Sequence, residues 1–256
     1  MDKLLVIITG PERNGTTYLS QLVYSIPNIY SGFETGLLLD NSFTNCKPFC
    51  QWIYNGGLQW GMQKQVDLYS SNLSFDDKYK LLFKHKGSYK NNHSQKLISE
   101  SKFIVDKTPA YFRNLEFVRN NSKDIPIIIT IKYLKDTYIS NCVNRSQSLT
   151  NFKKNAILQL KTLRWIKMKK PCNIHVYRYE DIIKPSFVLE LKKILSYKLD
   201  LKNVNISHEK YVKKTNGEYV YKNWSYKEFI VELPDYLKHI ESEYNSIIDS
   251  VITKVQ

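Results

Sequence analysis

The sequence predicts an α/β fold in three layers: a central, mostly parallel sheet, helices on both faces, and a phosphate-binding loop after the first strand. Three observations carry this. Short continuous runs of branched apolar residues alternate with helical runs along the 256 residues. The first such run, Leu4 to Ile8, leads directly into a loop bounded by Gly10 and Gly15. A helix-like run, Tyr18 to Ser25, follows that loop at once.

Taken in order, Lys3–Thr9 reads as a buried parallel strand, because it is apolar without alternation. Thr16–Ile26 reads as the first helix, stopped by Pro27, and Asn28–Ser31 as a short second strand. Glu34 stands just past that strand end, where ligands gather in open α/β sheets. Residues 41–100, rich in aromatic and polar residues, are expected to form a helical insertion with one helix over Phe75–Lys86; walling an acceptor pocket and capping the fold are equal readings of it. Lys102–Asp106 is the next strand, and Thr108-Pro109 opens a helix, which puts Lys107 at a strand's carboxyl end. Pro126–Lys132 and Asn173–Tyr177 complete the strands, with helices expected over Lys135–Ser146, Asn155–Lys170 and Pro185–Tyr197. A tail, 200–256, ends in a helix from Asp235 to Val251. The whole chain, 1–256, reads as one domain.

Composition narrows the function. Hydrophobic content of 42% and aromatic content of 13% suit a packed protein. The 38 basic against 24 acidic residues, a net +14, imply an anionic ligand, although many of the lysines are scattered as a solvated surface would have them. Cys46, Cys50, Cys142 and Cys172 lack zinc-like pairing; Cys46 and Cys50 could form a disulfide, but free thiols are the stronger reading, and the five histidines are dispersed, so no metal site is expected. No stretch reads as a signal peptide or membrane span. The seven Asn-x-Ser/Thr sequons, one of them at Asn14 inside the loop, read as chance, and the protein as cytoplasmic.

The loop Thr9-Gly10-Pro11-Glu12-Arg13-Asn14-Gly15-Thr16-Thr17 carries most of the chemistry. Backbone N–H groups at a helix start favour an anion, and glycines let the chain come close to it. The spacing is P-loop-like: Gly10, Gly15 and Thr17 fit G-x-x-x-x-G-K-[ST], while Thr16 replaces the lysine that holds a nucleoside triphosphate. Arg13 supplies positive charge from inside the loop.

Pro11 to Thr17 resembles the phosphosulfate-binding loop of sulfotransferases that use 3′-phosphoadenosine-5′-phosphosulfate (PAPS). Ile26–Thr35 is similar to the stretch after the first helix in the Golgi-type, tyrosylprotein branch, and Asp106–Phe112 to the Lys-Thr-Pro segment of the heparan-type branch. Lys132 to Ser140 follows the spacing of the family's 3′-phosphate motif, and Tyr177–Asp181 is similar to a family strand end. Together these cover about residues 3–185 in the family's order.

The resemblance implies roles. Arg13, with Asn14, Gly15, Thr16 and Thr17, would hold the leaving 5′-phosphate; Lys107 would hold the sulfonate or bridging oxygen; Glu34 would be the base. Lys132 and Ser140 would hold the 3′-phosphate, although Lys132 stands for an arginine and Leu134 for a proline, leaving Asp136, Tyr138 and Arg145 to compensate. Lys213 and Lys214, with Gly217, are candidates for a basic loop closing the nucleotide site; a solvated turn is the stronger reading of that stretch. No histidine falls where a small-phenol enzyme would place its base, His85 and His93 being nearest. The acceptor would then be a hydroxyl, or an amine, of a glycan or protein; PAPS is the co-substrate and adenosine 3′,5′-bisphosphate (PAP) the product, with no metal, no specific nucleic acid and no membrane span. Two other classes stay open: a P-loop kinase-like phosphoryl transferase, with Asp106 as the Mg²⁺ residue, and an inactive anion- or nucleotide-binding module.

Overall fold

The computed structural model describes residues 3–39, 73–83, 102–143, 146–206, 208–215, 218–221 and 232–253. Most of the expected insertion at 41–100 lies outside the described residues, as do Cys46, Cys50, His85, His93, Arg145, Gly217 and Trp224.

Five strands form one parallel sheet: β1 (Leu4–Thr9), β2 (Ile29–Phe33), β3 (Phe103–Lys107), β4 (Ile127–Ile131) and β5 (Ile174–Arg178), in the order β2-β3-β1-β4-β5. All adjacent pairs are parallel, so the sheet is more uniform than the mostly parallel one expected. β1 and β4 are buried along their whole length because both faces are covered, which is why they read as unbroken apolar runs.

On one face α1 (Thr16–Tyr24) sets Leu19, Leu22 and Val23 against Val6, Ile8 and Val105. The other face packs Ile7, Ile104, Ile129 and Ile131 beneath α2 (Phe75–Phe83), a 3₁₀ stretch at Pro109–Asn114 and α3 (Leu115–Ser122). After β4 the chain makes α4 (Leu134–Tyr138) and then a π-helical turn, Ile139–Val143, where one continuous α-helix was expected. α5 (Leu149–Lys169) crosses the second face, beginning earlier than the sequence indicates because Ser148 caps it, accepting from the Asn151 N–H at 3.3 Å. A short α6 (Tyr179–Ile182) follows β5 directly, and α7 (Phe187–Leu195) adds Phe187, Leu191 and Leu195 to the first face.

The tail is not simply helical. β6 (Val212–Thr215) and β7 (Glu218–Tyr221) make an antiparallel hairpin before α8 (Asp235–Val251). Val212 and Tyr219 tie the hairpin to the first face, and His208 stands edge-on to both Tyr219 and Tyr18 of α1. α8 packs on α5, where Tyr244 donates to Gln159 at 2.9 Å. Beyond α8, Thr253 exchanges hydrogen bonds with the backbone of Val176, covering the edge of β5.

Candidate active site

Every strand of the sheet ends at the same rim. β1 runs into the glycine loop, β2 ends one residue before Glu34, β3 ends at Lys107, β4 ends one residue before Lys132, and β5 ends at Arg178. Register makes neighbours of these ends: Phe33 lies opposite Lys107, and Lys107 opposite Ile8.

The loop has two points of close approach. Gly10 has φ +149°, and a Cβ there would stand 2.1 Å from the Thr130 carbonyl oxygen. Gly15, at φ +95°, caps α1 with no side-chain hydrogen bond, and a Cβ there would meet the Tyr179 ring at 2.5 Å. Gly15 brings no side-chain oxygen to the first-turn N–H groups at Thr16 and Thr17, the groups that favour an anion at a helix start. Thr16 is buried and Thr17 exposed. Arg13 also holds a positive φ, +67°.

Asn14 is committed elsewhere. Its N–H donates to the Pro11 carbonyl, its Nδ2 to the Glu12 carbonyl, and its Oδ1 accepts from the Lys132 N–H and the Thr137 hydroxyl. Its side chain therefore fastens the loop to the chain following β4 rather than pointing into the cradle.

Lys107 and Glu34 form one unit. The Lys107 Nζ donates to Glu34 Oε1 at 2.7 Å, and the Glu34 N–H donates to the Lys107 carbonyl at 3.1 Å. Lys107 is 2% exposed and Glu34 23%, so the pair opens to solvent on the carboxylate side. Glu34 is another non-glycine residue with positive φ, +38°. Burial lowers the Lys107 pKa; Glu34 and Asp106 oppose the drop, and Arg13 adds to it.

The other cation, Lys132, is 6% exposed, with its Nζ 4.3 Å from the centre of the Tyr179 ring. Burial lowers its pKa; Glu180 and Asp136 oppose this, and Arg13 again adds to it. The charge of Arg13 thus reaches both lysines, which stand at the ends of β3 and β4 on either side of the loop after β1. Ser140, in the π-turn, is buried, and its Oγ has no hydrogen-bond partner among the described residues. Single π-turns recur at functional sites.

Other expected residues lie elsewhere. Tyr138 packs edge-on to Phe152 at 5.3 Å, in the second-face core. Lys213 and Lys214 are exposed on β6, a strand rather than a loop, with the Lys214 Nζ 5.8 Å from the Tyr219 ring. Leu134 fills the position of the family's proline, and its N–H donates to Asn245 Oδ1 of α8 at 3.1 Å, a bond that proline cannot make. Asp106 is fully buried: Oδ2 accepts from Tyr111 at 2.6 Å and Thr35 at 3.1 Å, and Oδ1 from Thr108 at 3.0 Å. Beside the loop a cleft opens between Pro11, Pro109, Arg113, Asn141, Asn155 and Gln159.

Tyr179 and Asp106's hydroxyl partners were missed as site-forming residues. Tyr179 and Thr35 reach the site across long stretches of chain, whereas Thr108 and Tyr111 lie two and five residues from Asp106. Among the described residues, no group of three or more His, Cys, Asp or Glu could hold a metal ion, and no helix is long and apolar enough to cross a membrane.

No protein-family model matches the sequence, and no curated protein matches it. Solved structures do. The sulfotransferase domain from the Synechococcus PCC 7002 olefin synthase aligns over 77% of this chain and 74% of its own, with 15% identity and a TM-score of 0.51. The sulfotransferase from Alicyclobacillus acidocaldarius aligns over 98% and 95%, with 12% identity and a TM-score of 0.52. At these identities the likeness is one of fold: the parallel sheet and its flanking helices are those of solved sulfotransferase structures.

Proposed function

We propose that the chain is a sulfotransferase that moves the sulfonate of PAPS to a hydroxyl, or an amine, of a glycan or protein acceptor. One observation carries this reading: Arg13 lies in the loop before α1, Lys107 and Lys132 stand at the strand ends on either side of that loop, and the Glu34 carboxylate is 2.7 Å from the Lys107 ammonium. The nucleotide fits the residues present. The first turn of α1 accepts a phosphate, and Lys132 with the unpartnered Ser140 hydroxyl offers a second anion site. When bound, PAPS supplies a sulfonate on a good leaving phosphate.

Around it, each residue has a task. Glu34 takes the proton of the acceptor hydroxyl as that oxygen bonds to sulfur. The bond from sulfur to the bridging oxygen breaks, and its electron pair stays on the 5′-phosphate of PAP. Arg13, Lys107 and the N–H groups of Thr16 and Thr17 stabilise that growing charge. Asn14 holds the loop in place from behind. Lys107 must leave Glu34 for the bridging oxygen, so donor binding frees the base at the moment it is needed. Lys213 and Lys214 keep no assigned contact with the nucleotide in this reading.

Calorimetry tests it. PAP should bind, and bind better than ATP. Glu34→Gln should keep PAP affinity while turnover with PAPS falls ~10²–10⁴-fold. Preference for ATP would turn the reading toward phosphoryl transfer, against which the hydroxyl-bonded Asp106 already speaks. PAP binding without any turnover would leave a binding module.

A further inference from the structure

Asp106 lies behind the proposed machinery, on the face of β3 opposite to Lys107. Its surroundings are unusual for a buried carboxylate. Three hydroxyls bond it, from Thr35, Thr108 and Tyr111, and among the described contacts no cation hydrogen-bonds to it. Two of those hydroxyls belong to the residues that directly follow the proposed base and the proposed sulfonate-binding lysine: Thr35 follows Glu34, and Thr108 follows Lys107.

The geometry points to Asp106 as a positioning residue that sets Glu34 against Lys107 by bonding, through its two carboxylate oxygens, the threonine after each. The inference rests on the sulfotransferase reading for what the pair does, and on the hydrogen bonds alone for how the pair is held. Thr35 Oγ1 in turn accepts the Leu37 N–H, and the Tyr111 hydroxyl accepts the Leu38 N–H. The chain after β2 is thereby fixed over several residues. Glu34 needs that restraint, because its backbone sits at a positive φ that a non-glycine residue leaves readily.

Ionising Asp106 works against the fold. Burial raises the Asp106 carboxyl from its ordinary value to about 6, and its hydroxyl partners and Lys107 only partly offset this. Between an unfolded carboxyl near ~3.9 and that value, the native state holds the proton more tightly. Stability therefore falls as pH rises through the window, and at neutral pH the ionised group weakens the fold. A buried acid that weakens the fold while bracing two reacting groups fits a working role.

Asp106→Asn tests it. The expected variant melts at or above the wild-type temperature at pH 7 and binds PAP within about threefold, while kcat for sulfonate transfer drops ~10–100-fold with KM little changed. Thr35→Val should reproduce the kcat loss without removing the acid. A merely structural role predicts the reverse: lower melting temperature and unchanged kcat in the folded fraction. A second readout does not need activity. In a crystal structure of Asp106→Asn, the Glu34–Lys107 hydrogen bond should be lengthened or broken. If that pair stays intact, or if kcat is unchanged, the inference falls. If the wild type shows no sulfonate transfer but the pair still opens in the variant, the functional reading fails and the positioning role stands.

Discussion

The two sides of the phosphate loop are built on different principles. On the β2–β3 side, Glu34 and Lys107 are joined by backbone and side-chain hydrogen bonds, and a hydroxyl cage around Asp106 braces them from behind. On the β4–β5 side, Lys132 rests on the face of Tyr179, and Glu180 and Asp136 act on it through their charge. The first side is directional and short-ranged, as a proton transfer and an in-line attack require. The second combines a cation, an aromatic face and a spare hydroxyl at Ser140, an arrangement suited to gripping an anion with less exact aim. Chemistry is thus expected on one side of the loop and affinity on the other.

The contrast can be broken at three depths. The largest effect should come from Gly10→Ala, which strikes the loop that both sides share. A Cβ 2.1 Å from a backbone carbonyl cannot be relieved by a side-chain shift, so β1 and β4 must part. The loss is expected to reach about 3 kcal/mol or more, measured by chemical denaturation, with no PAP binding left. Next, Lys132→Ala should weaken PAP binding ~10–100-fold by calorimetry while saturating turnover stays near wild type. That is the mirror image of Glu34→Gln, and equal damage to binding and turnover in both variants would erase the distinction. The smallest effect should be that of Asn245→Ala. It removes the acceptor of the Leu134 N–H, at a cost of about 1 kcal/mol, and should loosen PAP only a few-fold by letting the chain after Lys132 drift.

How much of this was legible in the sequence follows from range. The glycine loop, the five strands and the strand-end positions of Glu34, Lys107 and Lys132 are local patterns, and the fold shows them where the pattern put them. The helix at Asp235–Val251 was equally plain. The missed parts have non-local causes or overlooked signals. Asp106 was weighed as a metal residue because its type and strand end suit one; only the fold brings Thr35 to it from 71 residues away. Asn14 looked like part of the cradle, and its commitment to Lys132 spans 118 residues. Lys213 and Lys214 were read as loop or turn residues because Asn216-Gly217 follows. Yet Asn-Gly between Val-Lys-Lys-Thr and Glu-Tyr-Val-Tyr is also a hairpin signature, and the hairpin is what forms on either side of it. The π-turn after Tyr138 had no sequence signal that we can identify.

The ring of Tyr179 touches two parts of the rim at once. It abuts Gly15 at the start of α1 and underlies the Lys132 ammonium, so a single aromatic plate serves as a shared wall for the two proposed anion seats. Trimming that plate would slacken the two seats together. Variants at position 179 therefore report on the union of the two grips and cannot apportion affinity between the ends of a bound nucleotide.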